Sequence, residues 1–179
     1  GHKSIGDCGT VTIYAENVSM LASKAIQDTP LYNGQEASTR YLDMSKQEVL
    51  NPQGSALGQQ IQEEWIKAYS HVLSEIVPEL KRRFPIQEGQ DNNVWSKAIK
   101  ARAFDIARSL LPAGCTTYVA WHTNLRQAHD HLSITAYNPL PEISQLAADI
   151  RASLSDKYPS SFSHNRYAAT EDYLSKSAA

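Results

Sequence analysis

Three short stretches of this sequence group side chains that can bind or react. The first is Gln35-Glu36-Ala37-Ser38-Thr39-Arg40-Tyr41. It offers a hydroxyl, a guanidinium and acceptor groups in one loop, a set that suits an anionic ligand. The fork of an arginine matches phosphate oxygens two at a time, and a serine hydroxyl adds a further bond. The plain alternative is a solvated loop with a Glu36–Arg40 surface pair. The second stretch is Ala107-Arg108-Ser109-Leu110-Leu111-Pro112, with Arg108 near the end of an amphipathic helix. That arginine is either a second anion-binding cation or a charge facing the helix dipole. The third runs Trp121-His122-Thr123-Asn124-Leu125-Arg126 and continues to His129-Asp130-His131. Asn124 and Arg126 carry donors that suit ring carbonyls or phosphates. Histidines beside a carboxylate invite a metal reading, but helical geometry opposes it. His129 and His131 point nearly opposite ways, and His122 and His129 lie two turns apart. No metal is therefore expected. Cys115 follows a Pro-Ala-Gly turn and is either a thiol nucleophile or a small buried side chain. No Gly-x-Ser-x-Gly, P-loop or Gly-x-Gly-x-x-Gly is present, and no catalytic residue is assigned.

The elements that must position these groups follow from periodicity. Residues 9–16 alternate and read as a strand. Residues 18–28 put Val18, Leu21, Ala25 and Ile26 near one face, and read as a helix. The next segment, with Pro30 and Asn33-Gly34, reads as a loop. Residues 55–77 form a long helix on the spacing of Ile61, Trp65, Ala68, Tyr69, Val72 and Ile76, with Pro78 kinking or ending it. Residues 84–92 form a loop. Trp95, Ile99, Ala103, Ile106 and Leu110 mark another helix, capped by Asn92 or Asn93 and broken at Pro112. Residues 116–132 begin with a β-prone run, but their length and the stripe Val119, Leu125, Leu132 predict a helix. Pro141 opens a helix over 141–155. A Ser-rich tail from 159 ends in a short helix. The expected fold is α+β: a helix-rich single domain over 1–179 with a small antiparallel sheet and a peripheral tail at 156–179.

Composition excludes several classes. The 179 residues are 41% hydrophobic and 20% charged, with a net charge of -2, so disorder and a general attraction to nucleic acid or anionic membranes are poor readings. No apolar run reaches the roughly 18 residues of a membrane span. No secretory signal is visible, and two cysteines are too few for a disulfide scaffold or a four-cysteine zinc site. A cytoplasmic protein with free thiols is expected, with no nucleic-acid polymer or membrane as partner.

Taken in order and spacing, these segments resemble the flavin-dependent thymidylate synthases, the ThyX family. Gly1-His2-Lys3-Ser4-Ile5-Gly6-Asp7 is similar to the family's Gly-His-x-Ser/Thr-x-x-Glu segment. Residues 35–41 resemble its Asn-Glu-x-Ser-x-Arg-Tyr loop. Ala107-Arg108-Ser109-Leu110-Leu111-Pro112, then Thr117, Trp121 and Asn124-Leu125-Arg126, resemble Ala-Arg-x-x-Leu-Pro…Thr…Trp-x-x-Asn-x-Arg. The likeness extends from residue 1 to about 155. It implies a homotetramer that methylates C5 of a uracil nucleotide, dUMP or UMP. Methylenetetrahydrofolate would supply the carbon, and FAD, reduced by NADPH, the hydride. By the same resemblance Gln35, Glu36, Ser38, Arg40 and Arg108 lie around the nucleotide. His2, Ser4, Asp7, Asn124, Arg126 and Asp130 lie around the flavin. No protein nucleophile is used in that family.

The departures from the pattern are specific. The family's Arg-His-Arg stretch corresponds here to Ile26-Gln27-Asp28-Thr29-Pro30. Its uracil-polarising arginine corresponds to Thr135, and a flavin-contacting asparagine to Asp130. The resemblance also places residue 1 partway into the family domain. Losing a cation at such a ring costs orders of magnitude in rate unless another, such as Lys24 or Arg126, replaces it. The rival expectation is a catalytically silent relative that binds a nucleotide or pairs with an active subunit.

Overall fold

The computed structural model describes residues 2–52 and 54–178, and the chain divides into two compact units. The first comprises residues 1–36 and 118–179, the second residues 37–117.

The first unit is built on a three-stranded antiparallel sheet in the order β1-β3-β2. β1 is Thr10–Ser19, β2 is Asn33–Glu36 and β3 is Thr116–Asn124. The helix expected over 116–132 is corrected: it is β3 followed by a separate helix. β-branched and aromatic residues alternate there, so Thr117, Val119, Trp121 and Thr123 are buried while Tyr118 and His122 are exposed. Asn124 then ends the strand by capping the helix, its Oδ1 accepting from the Gln127 backbone N–H at 2.8 Å. Val119 and Leu132 share an apparent stripe only because both a strand and a helix face one core.

β2 corrects a second expectation, since Asn33-Gly34 lies in a strand and not in a loop. It pairs antiparallel with β3, Asn33 opposite His122 and Glu36 opposite Val119. Gly34 is required by close approach: a Cβ there would stand 2.0 Å from the Ala120 carbonyl oxygen. Tyr32 donates its hydroxyl to that same carbonyl at 3.0 Å.

Four further helices cover one face of this sheet. They are α1 (Met20–Gln27), α4 (Leu125–Thr135), α5 (Pro141–Lys157) and the short α6 (Pro159–Phe162); α7 (Ala168–Ala178) closes the tail. Ala22 and Ile26 from α1, Trp121 from β3, Leu132 from α4 and Ile150 from α5 meet in one core. Leu21 is 44% exposed, so the α1 stripe is narrower than expected.

The second unit contains α2 (Ala56–Arg83) and α3 (Asn92–Ala107). Pro78 neither ends nor bounds α2, which continues to Arg83. A proline inside a helix costs about 3 kcal/mol. Burial of Leu80 against Ile99 and Ala103, with Leu73, Ile76 and Val77 packed alongside, offsets it. The cap of α3 is Asp91, not Asn92 or Asn93; its carboxylate accepts from the Asn93 and Val94 backbone N–H groups at 2.8 and 2.9 Å. A single 3-10 turn, Arg108–Leu110, follows α3.

Candidate functional site

In the second unit, Ser38 and Arg40 lie on a tight turn. The Tyr41 and Leu42 backbone N–H groups both donate to the Ser38 carbonyl, at 3.2 and 3.1 Å. Arg40 donates its own backbone N–H to Ser38 Oγ at 3.3 Å, so hydroxyl and guanidinium leave the same turn. The Arg40 side chain then meets α3: its Nη2 lies 2.9 Å from Asp105 Oδ2. Arg108, three residues after Asp105, places its Nη2 3.2 Å from Asp105 Oδ1. The second contact is an ion contact without hydrogen-bond geometry, since Oδ1 is shielded from water and has no hydrogen-bond partner. Two guanidiniums therefore share one carboxylate and leave one positive charge. Both arginine side chains stay about half exposed, at 47% and 46%, so their remaining N–H groups can reach a ligand.

Sequence reasoning misses Asp105. Its spacing of three from Arg108 on a helix is a legible signal. Its approach to Arg40, far away in sequence, is not.

Gln35 and Glu36 belong to the first unit. Gln35 is exposed on β2 opposite Ala120. Glu36 turns to α1: Lys24 Nζ donates to Oε2 at 2.6 Å, Gln27 Nε2 to Oε2 at 2.9 Å, and Ser23 Oγ to Oε1 at 3.0 Å. Burial alone pushes the carboxyl pKa up, but these three donors and the Lys24 charge outweigh it and hold Glu36 below its ordinary value. Glu36 thus pairs with Lys24 in its own unit, and Arg40 with Asp105 in the other.

The six residues expected around a flavin lie in the first unit. A 3-10 turn over Lys3–Cys8 is stitched to the start of α4. Arg126 Nη1 donates to Asp7 Oδ2 at 2.9 Å, Lys3 Nζ to Asp130 Oδ1 at 2.8 Å, and the Leu125 backbone N–H to the Gly9 carbonyl at 2.9 Å. Gly6 fits because a Cβ there would stand 3.0 Å from the Arg126 backbone nitrogen. His2, Gly6 and Arg126 line a cleft of about 90 Å³. Ser4 is exposed on the turn. Asn124 spends its amide oxygen on the helix cap, which leaves its NH₂ as a pure donor. A hydroxyl, an amide donor, a guanidinium and an imidazole suit the carbonyls and diphosphate of a flavin dinucleotide.

Asp130 is tied to Lys3 and to His129, whose Nδ1 lies 3.3 Å from Oδ1. Burial opposes ionisation of Asp130, yet these neighbours lower its pKa; burial lowers that of His129. His131 faces the other way. Its Nε2 lies 3.0 Å from the Ala25 carbonyl, and its ring packs edge-on to Trp121. Among the described residues no cluster of three or more His, Cys, Asp and Glu side chains could hold a metal. Thr135 spends its hydroxyl on the His131 carbonyl at 2.9 Å. Cys115 is fully buried, and burial pushes its thiol up to about 11, so it is not a thiolate at neutral pH. No described helix is long and apolar enough to cross a membrane.

A helix-rich α+β fold with this sheet is that of the flavin-dependent thymidylate synthases. The ThyX of Helicobacter pylori, crystallised in complex with FAD and dUMP, aligns at a TM-score of 0.50 and 17% identity over 86% of this chain and 71% of that one. A second structure of thymidylate synthase X from the same organism, with FAD and dUMP, gives 0.49 and 16% over the same shares. No curated protein matches the chain. The family model described as thymidylate synthase complementing protein matches residues 1–160, and the chain belongs to that family.

Proposed function

We propose that this protein is a flavin-dependent methylase of a uracil nucleotide, dUMP or UMP. The observation that carries the reading is the pair of half-exposed guanidiniums, Arg40 and Arg108, gathered on Asp105 beside the Ser38 turn. Arg40 and Arg108 bind the phosphate, Ser38 adds a hydroxyl, and Gln35 and Glu36 belong to the same nucleotide-binding stretch of sequence. Shared pairing with one carboxylate limits the swing of both arginines and so lowers the ordering cost of binding. His2, Ser4, Asn124 and Arg126 hold FAD by hydrogen bonds, while Asp7 and Asp130, paired with Arg126 and Lys3, orient the turn and helix that carry them.

When bound, reduced FAD supplies the hydride that converts the methylene carbon of methylenetetrahydrofolate to a methyl group, and NADPH restores the reduced flavin. The protein would hold the nucleotide so that C5 gains the carbon and gives up its proton while the bonds from that carbon to the folate nitrogens break and tetrahydrofolate leaves. With Thr135 bonded within its own helix, and Lys24 and Arg126 already paired with Glu36 and Asp7, rate enhancement rests on positioning.

A homotetramer is part of this reading. Leu57, Ile61 and Trp65 stand about one turn apart on α2, and all are exposed. They form an apolar stripe of the kind that association covers. The spacing of Ile61 and Trp65 that predicts the helix therefore runs along this exposed stripe.

Reconstitution tests the flavin half. Purified protein incubated with FAD is expected to hold the yellow chromophore through gel filtration, and Arg126→Ala to release it. A colourless protein that takes up no FAD overturns the reading in favour of the silent relative.

A further inference from the structure

A second cavity, of about 700 Å³, opens in the first unit between α4, α5 and residues 163–174. Its volume is that of a small-molecule site. Much of its wall lies beyond residue 160, where the family match ends.

The charges in the cavity do not cancel. Lys3 is paired with Asp130. Arg166 is paired with Glu171, which also accepts the Tyr137 hydroxyl. Arg151 has no carboxylate within ion-pair distance among the described residues. Its Nη1 donates to Ser133 Oγ at 3.3 Å, and its guanidinium stands 5.9 Å from the Phe162 ring centroid. One positive charge is left over. Beside it, His164 packs edge-on against His129, with ring centroids 5.5 Å apart. Both His164 ring nitrogens are shielded from water and have no hydrogen-bond partner among the described residues. An imidazole carries at least one N–H in its neutral and charged states, and leaving such a donor unmet costs about 1–3 kcal/mol.

We propose that this cavity binds a small phosphate-bearing anion, with Arg151 as its counter-charge and His164 as a second donor. A phosphate group needs several donors around one centre. The free N–H groups of Arg151, the unmet His164 and the hydroxyl of Thr170 on the same wall supply them. Arg151 and Thr170 are not among the residues assigned above to the uracil nucleotide or to FAD, whereas Asp130 shares this wall and His164 also lines the cleft of His2 and Arg126, so the cavity adjoins the flavin residues; the proposal does not rest on the methylation reaction.

Calorimetric titration of the full chain with inorganic pyrophosphate, and separately with ADP, tests it. Both titrations use FAD-loaded protein in an Arg40→Ala background, so that neither the flavin cleft nor a phosphate site on the second unit contributes. Saturable binding of pyrophosphate with a submillimolar Kd is expected if a free anion is the ligand. Binding of ADP more tightly than pyrophosphate is expected if the phosphate is carried by a nucleotide. In either case Arg151→Gln and His164→Phe each weaken binding by about tenfold or more, and Arg151→Gln leaves FAD uptake unchanged. The Phe variant keeps a ring against His129, so it decides the matter if Arg151→Gln does not fold. The proposal is overturned if neither probe binds at millimolar concentration, or if both folded variants bind as tightly as their parent.

Discussion

Arg40 Nη2 lies 2.9 Å from Asp105 Oδ2, which joins a turn residue to a helix residue far along the chain. Because Asp105 also faces Arg108, it acts as a positioning residue for two cations at once.

Arg40→Ala is expected to raise the Kd for dUMP or UMP by about tenfold or more, equivalent to about 1.4 kcal/mol. Asp105→Ala removes orientation but not positive charge, so its effect on Kd should be smaller. Its effect on folding stability should stay within about 1 kcal/mol, because the pair is partly exposed and screened. Calorimetry and urea denaturation read the two separately. An unchanged nucleotide Kd in Arg40→Ala contradicts the placement.

The exposed stripe on α2 predicts association. Light scattering should find the wild-type protein as a tetramer. Trp65→Glu should yield a smaller species with unchanged far-UV circular dichroism, since Trp65 makes little of the core of its own chain. A wild-type monomer contradicts this.

Glu36 predicts part of the acid limb of the stability curve. Its folded pKa lies below the ordinary value of 4.5 because Lys24, Gln27 and Ser23 stabilise the carboxylate against its burial. The folded state therefore binds the proton more weakly than the unfolded chain. The resulting stabilisation is fully present above the unfolded pKa and is lost as pH falls through the folded pKa. Glu36→Gln should be less stable than wild type at pH 7, with the gap narrowing in acid. Urea midpoints measured from neutral pH down into the acid range check this, and a constant gap contradicts it.

Helix-forming periodicity makes α3 and α5 legible, because each carries its own apolar stripe over three or more turns. β3 is not legible as a strand, because Asn124 starts a helix with no break in apolar spacing. The period of two in Thr117, Val119, Trp121 and Thr123 is the signal that length obscures. β2 is hidden by its turn-forming residues; pairing with β3, a tertiary event, makes Asn33-Gly34 extended. Pro78 shows burial overriding a local preference. At the candidate site the residue types of Ser38, Arg40 and Arg108 are readable. Glu36 turning to Lys24, and Asp105 joining two arginines, depend on the meeting of distant segments, which no spacing rule encodes.

The most direct measurement is mass spectrometry of the nucleotide pool after incubation of the protein with FAD, NADPH, methylenetetrahydrofolate and dUMP or UMP. The account predicts a nucleotide bearing one added methyl group on its base, formed in proportion to NADPH consumed and absent when FAD is omitted. Recovery of both nucleotides unmethylated, from protein that has taken up FAD and binds the nucleotide, would contradict it.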